Sequence, residues 1–600
     1  MTSATPSVGS RLVLFVAASV ASTVVLEAFN RASLTAVAGW LWAAPLEALL
    51  NVTLAMMVNL AALALVGHLR GALLGVGAFI VGLGALHATK SAVLGKPLFP
   101  WDFLFYRETV ALLPQLLSGP RVAVGLLGLG LLGLVAAQAW RTRHPPLSGR
   151  ARLGLGVVAL LGAVTVPSLT ASLRPLGVRN LFWSQTDNYL RNGFGLSLVF
   201  NVRSALVTRP AGYAPEAVRT LAATLPVSQA DAGVRPPTLV VVMSESFFDP
   251  TTLPNVRFLD DPVPVFHRLQ RAHRSGTLYA PVYGGGTANT EFEVLTGHSM
   301  RFLPSGSIPY QQYIHAPQPS LARAVSRLGY RTEAVHSYHR WFWERGQVYE
   351  HLGFDRFTSV EDMPGALELG PYPADRFLTQ HVIDTFERTS GGPAFIFGVS
   401  VEAHGPYDVP RVAVPRVRFE APLDALGTTQ LSTYVEAIHN ADHELGVLVE
   451  YLERQATPVQ LLFFGDHQPS LPHVLRQLGV LESERLNEMT SQERLVVHRV
   501  PALLWTNQRP STQPIPTMST SLLGPWMLEA AGLSGTPYDA FLRQVSARMP
   551  VAVDRFVIDA DGGVYDQAPS ELAQLEEDWW LLEYDQLMGE QALATGYEGS

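Results

Sequence analysis

The chain has 600 residues, 43 Lys and Arg against 51 Asp and Glu, a net charge of −8, and no cysteine. The acidic balance argues against nucleic acid as a partner. The missing cysteines exclude disulfides, thiol nucleophiles, zinc–thiolate sites and a cysteine-derived formylglycine.

Such a length exceeds one ordinary domain, and two unlike materials are joined in it. Residues 1–173 are apolar with few charges. A membrane span needs about 20 mostly apolar residues, and 11–29, 49–67, 71–88, 122–140 and 153–173 each meet that need. The stretch 34–48 is apolar too, but Pro45 and Glu47 interrupt it, so it reads as an interfacial or re-entrant piece. Arg141, Arg143, Arg150 and Arg152 lie between the fourth and fifth spans, and His68 and Arg70 between the second and third. Basic loops stay cytoplasmic. The N-terminus is therefore expected inside, the first span as an uncleaved anchor, and everything after 173 outside, in a bacterial inner membrane.

Residues 174–214 carry WSQTDNYLRNGFG and are expected as an interfacial linker. From 215 to 545 the composition is that of a soluble domain, and the acidic 546–600 reads as a C-terminal appendage. Apolar, β-branched runs at 238–244, 394–400, 459–464 and 501–505 predict strands, and 317–328 and 432–454 predict helices. Such alternation implies an α/β domain with a mostly parallel central sheet.

Two of these strands end on ionisable residues: Glu245 after TLVVVMS, and Asp466 and His467 after LLFFG. Ligands of open α/β sheets sit beyond the carboxyl ends of strands. The three are expected to meet at one sheet edge, as a site for a divalent cation such as Mn²⁺ or Zn²⁺. Three glycines, Gly284 to Gly286, precede Thr287. Glycines let backbone approach a ligand closely and free N–H groups for an anion. A threonine hydroxyl needs a metal or base to become a nucleophile, and Thr287 beside a metal held by Glu245 would have one; a plain helix N-cap is the bland alternative. The segment 336–345, HSYHRWFWER, gathers His336, Trp343 and Arg345, with guanidinium for phosphate and aromatic walls for a polyol. His404, in SVEAHGPY, follows another strand and could stabilise a phosphate oxygen or donate a proton to a leaving group. Asp442 and His443 read as structural.

Five spans, then strand-SES, GGT with EFE shortly after, H-x5-FW-x-R, AHGP and strand-GDH, in this order, resemble the lipoteichoic acid synthase family. Its relatives are the membrane phosphoglycerol transferases of periplasmic glucans, within the alkaline phosphatase–sulfatase superfamily. The resemblance covers about 11 to 545. It implies one divalent metal, typically Mn²⁺ or Mg²⁺, held by Glu245, Thr287, Asp466 and His467. Thr287 would be the nucleophile, and His336, Trp343, Arg345 and His404 would bind the glycerol phosphate group. The synthases often have Gly-Asp after the first of these histidines; here Ser337 and Tyr338 follow. The glycine run also lacks the lysine of the Gram-positive pattern.

The expected activity is transfer of glycerophosphate from phosphatidylglycerol to an envelope glycan or polyglycerol phosphate through a phosphothreonine intermediate. A phosphoethanolamine transferase or a phosphodiesterase uses related chemistry. A non-catalytic receptor or transporter component is the reading from another class.

Overall fold

The computed structural model describes residues 8–94, 97–103, 147–172, 178, 185–204, 207–225, 236–304, 307–366, 372–484, 489–553 and 556–595. The chain divides into two compact units, Met1–Val207 and Thr208–Ser600.

The first unit is helical: α1 (Val8–Arg31), α2 (Leu34–Ala43), α3 (Pro45–Val66), α4 (Leu69–Leu94), α5 (Gly149–Ser172), α6 (Gln185–Asn192) and α7 (Phe194–Ser204). Three stretches, Gly9–Arg31, Pro45–Val66 and Leu69–Ser91, are long and apolar enough to cross a membrane, with mean hydropathies of 2.2, 2.2 and 1.9. They coincide with the expected spans at 11–29, 49–67 and 71–88. The expected span 153–173 falls on α5, whose Arg152 Nε donates to the Ala64 carbonyl of α3 at 2.7 Å. The expected span 122–140 lies outside the described residues.

The stretch 34–48 is not one re-entrant piece. Ser33 caps α2 by accepting from the Ala36 N–H, and Pro45 opens α3 at a position where a missing N–H costs nothing. Residues 185–204 fall within the expected linker 174–214. They form α6 and α7, joined at Gly193 with φ +81°, and polar side chains of α1 to α3 satisfy the backbone of that turn. Asn30 Nδ2 donates to the Tyr189 carbonyl at 2.8 Å, Trp40 Nε1 to Arg191 at 2.7 Å and Asn51 Nδ2 to Asn192 at 2.7 Å. Glu27 Oε1 accepts from the Phe194 N–H at 2.6 Å. Buried backbone groups need partners, and these four side chains supply them.

The second unit is built on an eight-stranded sheet. Its strands are β1 (Thr238–Ser244), β2 (Arg274–Tyr279), β3 (Arg331–His336), β4 (Arg356–Thr358), β5 (Ala394–Val399), β6 (Val459–Gly465), β7 (Arg499–Thr506) and β8 (Met518–Ser519). The order is β8-β2-β7-β6-β1-β5-β3-β4. Strand β7 runs antiparallel to both neighbours and every other pairing is parallel. All seven positions of β1 are buried, so both faces of the sheet are covered, as an all-apolar parallel strand requires. On one face α10 (Ala425–Glu453) packs Leu431, Val435, Ile438 and Leu445 into a core with Val240, Val242, Ile396 and Phe463.

Helix α8 (Thr287–Thr296) is buried at all ten positions. The C-terminal helix α11 (Ser570–Met588) docks beside the segment that follows α8. Glu583 Oε2 accepts from the Ser299 N–H at 2.7 Å, Arg301 Nε reaches Glu576 at 2.5 Å, and Trp579 Nε1 donates to Tyr538 at 3.2 Å. In α8, Glu293 accepts from the Met300 N–H at 2.9 Å and from Thr520 Oγ1 at 2.5 Å. Burial raises the Glu293 pKa from an ordinary 4.5 to about 7 against those hydrogen bonds, and raises that of Glu583 with help from the Glu293 charge.

A carboxyl whose pKa is raised by folding stabilises the fold while neutral. That contribution is complete below 4.5 and is lost as pH rises through about 7. Thermal unfolding between pH 5 and 8 should therefore show stability falling, and Glu293→Gln should flatten the fall. An equal fall in the variant would remove Glu293 from the account.

Candidate active site

Parallel pairing of β1 and β6 places Ser244 opposite Gly465. The next residue of each strand end, Glu245 and Asp466, is therefore delivered to the same edge. The Asp466 N–H donates to the Ser244 carbonyl at 3.2 Å, and the Ser246 N–H to Asp466 Oδ1 at 2.7 Å. A side chain at Gly465 would collide with the Phe247 carbonyl oxygen, so glycine is required where the two strand ends cross. The Glu245 N–H is fixed by Ser400 Oγ at 2.9 Å, from the end of β5.

Among the described residues, Glu245, Asp466 and His467 form a buried group whose ligand atoms all lie within 4.8 Å of one another. His467 Nδ1 faces the Gln468 carbonyl at 2.9 Å. A carbonyl only accepts, so the proton is assigned to Nδ1 and Nε2 is left as a lone-pair donor. Nε2 lies 3.2 Å from Asp466 Oδ2 and 3.6 Å from Glu245 Oε1. Neither His467 Nε2 nor Asp466 Oδ2 has a hydrogen-bond partner. Buried atoms of this kind are normally paired. Burial, and then the Asp466 charge, push the Glu245 pKa up, against His467, Ser246 and Thr287. Two carboxylates and an imidazole with orphaned lone pairs fit a divalent cation, which would relieve that repulsion.

Thr287 joins this group. Gly284, Gly285 and Gly286 take φ of +71°, +144° and +96°, which L side chains rarely adopt. The N-cap of α8 is Gly286, so Thr287 is the first helical residue rather than the cap. Its Oγ1 donates to Glu245 Oε2 at 3.3 Å. Thr290, one turn on, donates to the Asp466 carbonyl at 2.8 Å. The hydroxyl thus stands at a helix N-terminus, where backbone N–H groups favour an anion.

His336 ends β3 at the same sheet edge, with Nδ1 2.9 Å from the Val399 carbonyl. Burial, then the Arg345 charge, lower its pKa well below the ordinary range, so the ring is neutral. Trp343 and Glu344 take φ of +56° and +57°, and helix α9 (Arg345–His351) starts directly after them. Arg345 is buried. It forms a forked ion pair with Glu291, through Nε at 3.1 Å and through Nη2, and its guanidinium lies 5.1 Å from the Trp343 ring. Tyr349 donates to Glu291 Oε2 at 2.6 Å. Burial opposes the Arg345 charge, but Glu291 raises the pKa above its ordinary value. His404 is exposed; Nδ1 faces the Gly405 carbonyl at 2.8 Å and the ring lies 5.0 Å from Tyr372.

Sequence reasoning missed Glu291, Tyr349, Ser400 and Tyr372. Glu291 stands four residues after Thr287, hence on the same face of a helix; that spacing was the available signal. Asp442 is structural: its carboxylate caps a helix start, accepting from the Val265 and Phe266 N–H groups at 2.8 and 2.7 Å.

The strand order and an acidic site at the carboxyl edge define a sulfatase-type domain, and the sulfatase family profile matches residues 237–533. A protein of Rhizobium meliloti (strain 1021), described as "Putative cyclic beta-1,2-glucan modification protein", is 34% identical over 520 residues, which is 83% of this chain and 80% of that protein. The lipoteichoic acid synthase-like YvgJ of Bacillus subtilis (strain 168) is 22% identical over 41% of this chain and 39% of its own. The structure of the Streptococcus pyogenes phosphoglycerol transferase GacH with sn-glycerol-1-phosphate shares the fold. Its TM-score is 0.53 at 19% identity, covering 65% of this chain and 98% of that one. The chain belongs to the sulfatase family, with the Rhizobium protein as a relative along most of both chains.

Glu291→Gln should leave the Arg345 charge buried without its counter-ion and cost about 3–5 kcal/mol of stability. Denaturant unfolding of wild type and variant measures it; a loss within experimental error would show that the ion pair holds nothing. A divalent cation should also raise the unfolding temperature, by about 2.7 kcal/mol of stabilisation at roughly 100 times its Kd. Asp466→Asn should remove that response to Mn²⁺; a variant that still responds would move the metal elsewhere.

Proposed function

We propose that the chain is a membrane-anchored, metal-dependent transferase that moves glycerophosphate from phosphatidylglycerol to an envelope glycan through a phosphothreonine intermediate on Thr287. The observation that carries this reading is the Thr287 hydroxyl bonded to Glu245 beside two orphaned ligand atoms, at a buried helix N-terminus. The glucan acceptor is suggested by the description of the Rhizobium relative. Glu245, Thr287, Asp466 and His467 would hold the metal, with Mn²⁺ the first choice for a carboxylate and imidazole donor set. When bound, such an ion supplies charge stabilisation to a phosphoryl oxygen and lowers the pKa of a neighbouring hydroxyl.

In the first half-reaction the Thr287 hydroxyl proton would pass to Glu245, which it faces, as Oγ bonds to phosphorus; the bond to the diacylglycerol oxygen breaks, and that oxygen takes up a proton. His404, whose Nδ1 faces the Gly405 carbonyl, would give up that proton from Nε2 in its doubly protonated form and take one from the acceptor hydroxyl in the second half. The Nη1 edge of Arg345, which reaches the Phe342 carbonyl at 3.3 Å, would hold the phosphate; His336 Nε2 would accept from a glycerol hydroxyl, and the Trp343 ring would pack on the glycerol. In the second half an acceptor hydroxyl displaces Thr287 and the hydroxyl is restored.

The membrane part is read as five spans, with residues 1–173 as the membrane domain, the N-terminus inside and the catalytic domain, 215–545, on the extracytoplasmic face of the inner membrane. Support comes from the basic loops and the helices described above.

Intact-mass analysis of the full chain with Mn²⁺ and phosphatidylglycerol should show one glycerophosphoryl group added at Thr287, with diacylglycerol released. Thr287→Ala should show neither, at wild-type stability. An adduct only with phosphatidylethanolamine would reassign the head group, and turnover retained by Thr287→Ala would overturn the nucleophile.

A further inference from the structure

The loop that follows His404 holds apolar side chains out of the fold. Residues 409–412 and 414–417 each read Val-Pro-Arg-Val. Val409 is 71% exposed, Val412 37% and Val414 79%, while Val417 is buried. Leu426, at the start of α10, is 45% exposed. It lies four and seven residues before Gln430 and Thr433, on the same helix face. Those two hold the loop: Gln430 Nε2 donates to Asp408 Oδ1 at 2.7 Å and Thr433 Oγ1 to the Val409 carbonyl at 3.4 Å. Leu426 therefore shares a helix face with the residues that hold Val409, and Val412 and Val414 follow in the same exposed loop.

The loop is pinned at both ends. Arg411 Nη1 donates to the Glu402 carbonyl at 2.7 Å, and Nη2 to the His404 carbonyl. At the far end Glu436 accepts from the Arg416 and Val417 N–H groups at 2.6 and 2.9 Å and pairs with Arg416 Nε at 2.9 Å. Arg418 pairs with Asp260 at 2.8 Å. A scattered exposed valine needs no explanation. Several held out together on a braced loop, beside a site for a lipid-derived group, mark an interaction surface.

We propose that the 409–414 loop, with Leu426, is a bilayer-contact surface that dips its valines among the lipid chains next to the catalytic centre. Three features select a lipid bilayer as the occupant. The chain carries three helices long and apolar enough to cross a membrane. Of the three arginines between Asp408 and Glu420, Arg416 and Arg418 are paired with Glu436 and Asp260, while Arg411 donates to backbone carbonyls, so its charge suits an anionic head group. Arg411 links the valines to the backbone of His404, so the surface is continuous with the proposed lipid-cleaving site. The contact itself does not depend on which head group is the donor.

The absence of cysteine makes a direct test clean. Val414→Cys in the full chain carries an environment-sensitive fluorophore, in vesicles of phosphatidylglycerol and phosphatidylethanolamine with brominated acyl chains. Val564→Cys, at a 42% exposed position of a separate small sheet, is the control. The probe at 414 should shift to the blue and be quenched by the brominated chains, and the probe at 564 should not. Equal behaviour at both positions, or a shift that follows protein concentration instead of lipid, overturns the proposal; the latter assigns the surface to a second copy. Independently, Val412→Asp with Val414→Asp should lower turnover of vesicle-borne phosphatidylglycerol at least tenfold relative to that of a soluble short-chain analogue. An unchanged ratio also overturns it. If wild type turns over neither substrate, the proposed donor fails, while the fluorescence still decides the surface.

Discussion

The parallel pairing of β1 with β6 sets everything else in the catalytic unit. The register that puts Ser244 against Gly465 is fixed by seven residue pairs along two buried strands. A slip of one residue would turn each side chain to the opposite face. Glu245 and Asp466 are therefore brought together by the hydrophobic content of the strands behind them, at a place where burial and their like charges both oppose ionisation. Ser246, at φ +53°, adds a left-handed residue worth about 1–3 kcal/mol of strain. Its N–H goes to Asp466 and its hydroxyl to Glu245 at 2.9 Å, so the strained residue is also the one that orients both carboxylates.

Helix α8 is the second fixed part. Its ten buried residues leave Thr287 little freedom of backbone position. Glu291 ties it to Arg345 and Tyr349 on one side, and Glu293 ties it to Thr520 and to the turn at Met300 on another. Buried charges are costly unless paired, and these pairs are specific in direction, so they define where the helix lies as well as stabilising it. The Arg345–Glu291 pair has a further consequence. The guanidinium is committed to Glu291 through two nitrogens, so it is a fixed charge with one remaining edge rather than a mobile clamp.

The parts of this arrangement that were legible in the sequence are those written in apolar period and abrupt polar ends. Strands β1, β5, β6 and β7 were placed to within two residues, because each is an apolar run closed by polar residues. Strand β2, Arg274–Tyr279, reads RSGTLY and lacks that signal; it is a strand because β7 pairs with it. Strand β8 has two residues, too few for any period. Within the site, Glu245, Asp466 and His467 followed from strand ends alone, whereas the partner of Arg345 depended on a tertiary contact 54 residues apart in sequence. In the first unit the aromatic residues of 174–214 suggested an interfacial linker. The backbone of the 189–194 turn is completed by Glu27, Asn30, Trp40 and Asn51, far upstream, and pairing of that kind leaves no local trace.

The replacement of an acid by Tyr338 can now be read in electrostatic terms. Its ring stands 6.3 Å from His336, 5.2 Å from Phe342 and 6.5 Å from Tyr372, in a chain of aromatic contacts that reaches His404. Burial raises the Tyr338 pKa above its ordinary value, so the side chain is neutral at any physiological pH. Tyr372 is likewise raised, by burial first and by neighbouring charges that include Glu245. An ionised acid at 338 would add a negative charge beside Tyr372, which already feels that of Glu245. A neutral aromatic rim avoids that charge and presents flat apolar faces between the two histidines. The departure from the synthase pattern thus changes the character of the entrance while leaving the charge balance at Glu245, Asp466 and His467 to the strands that hold them.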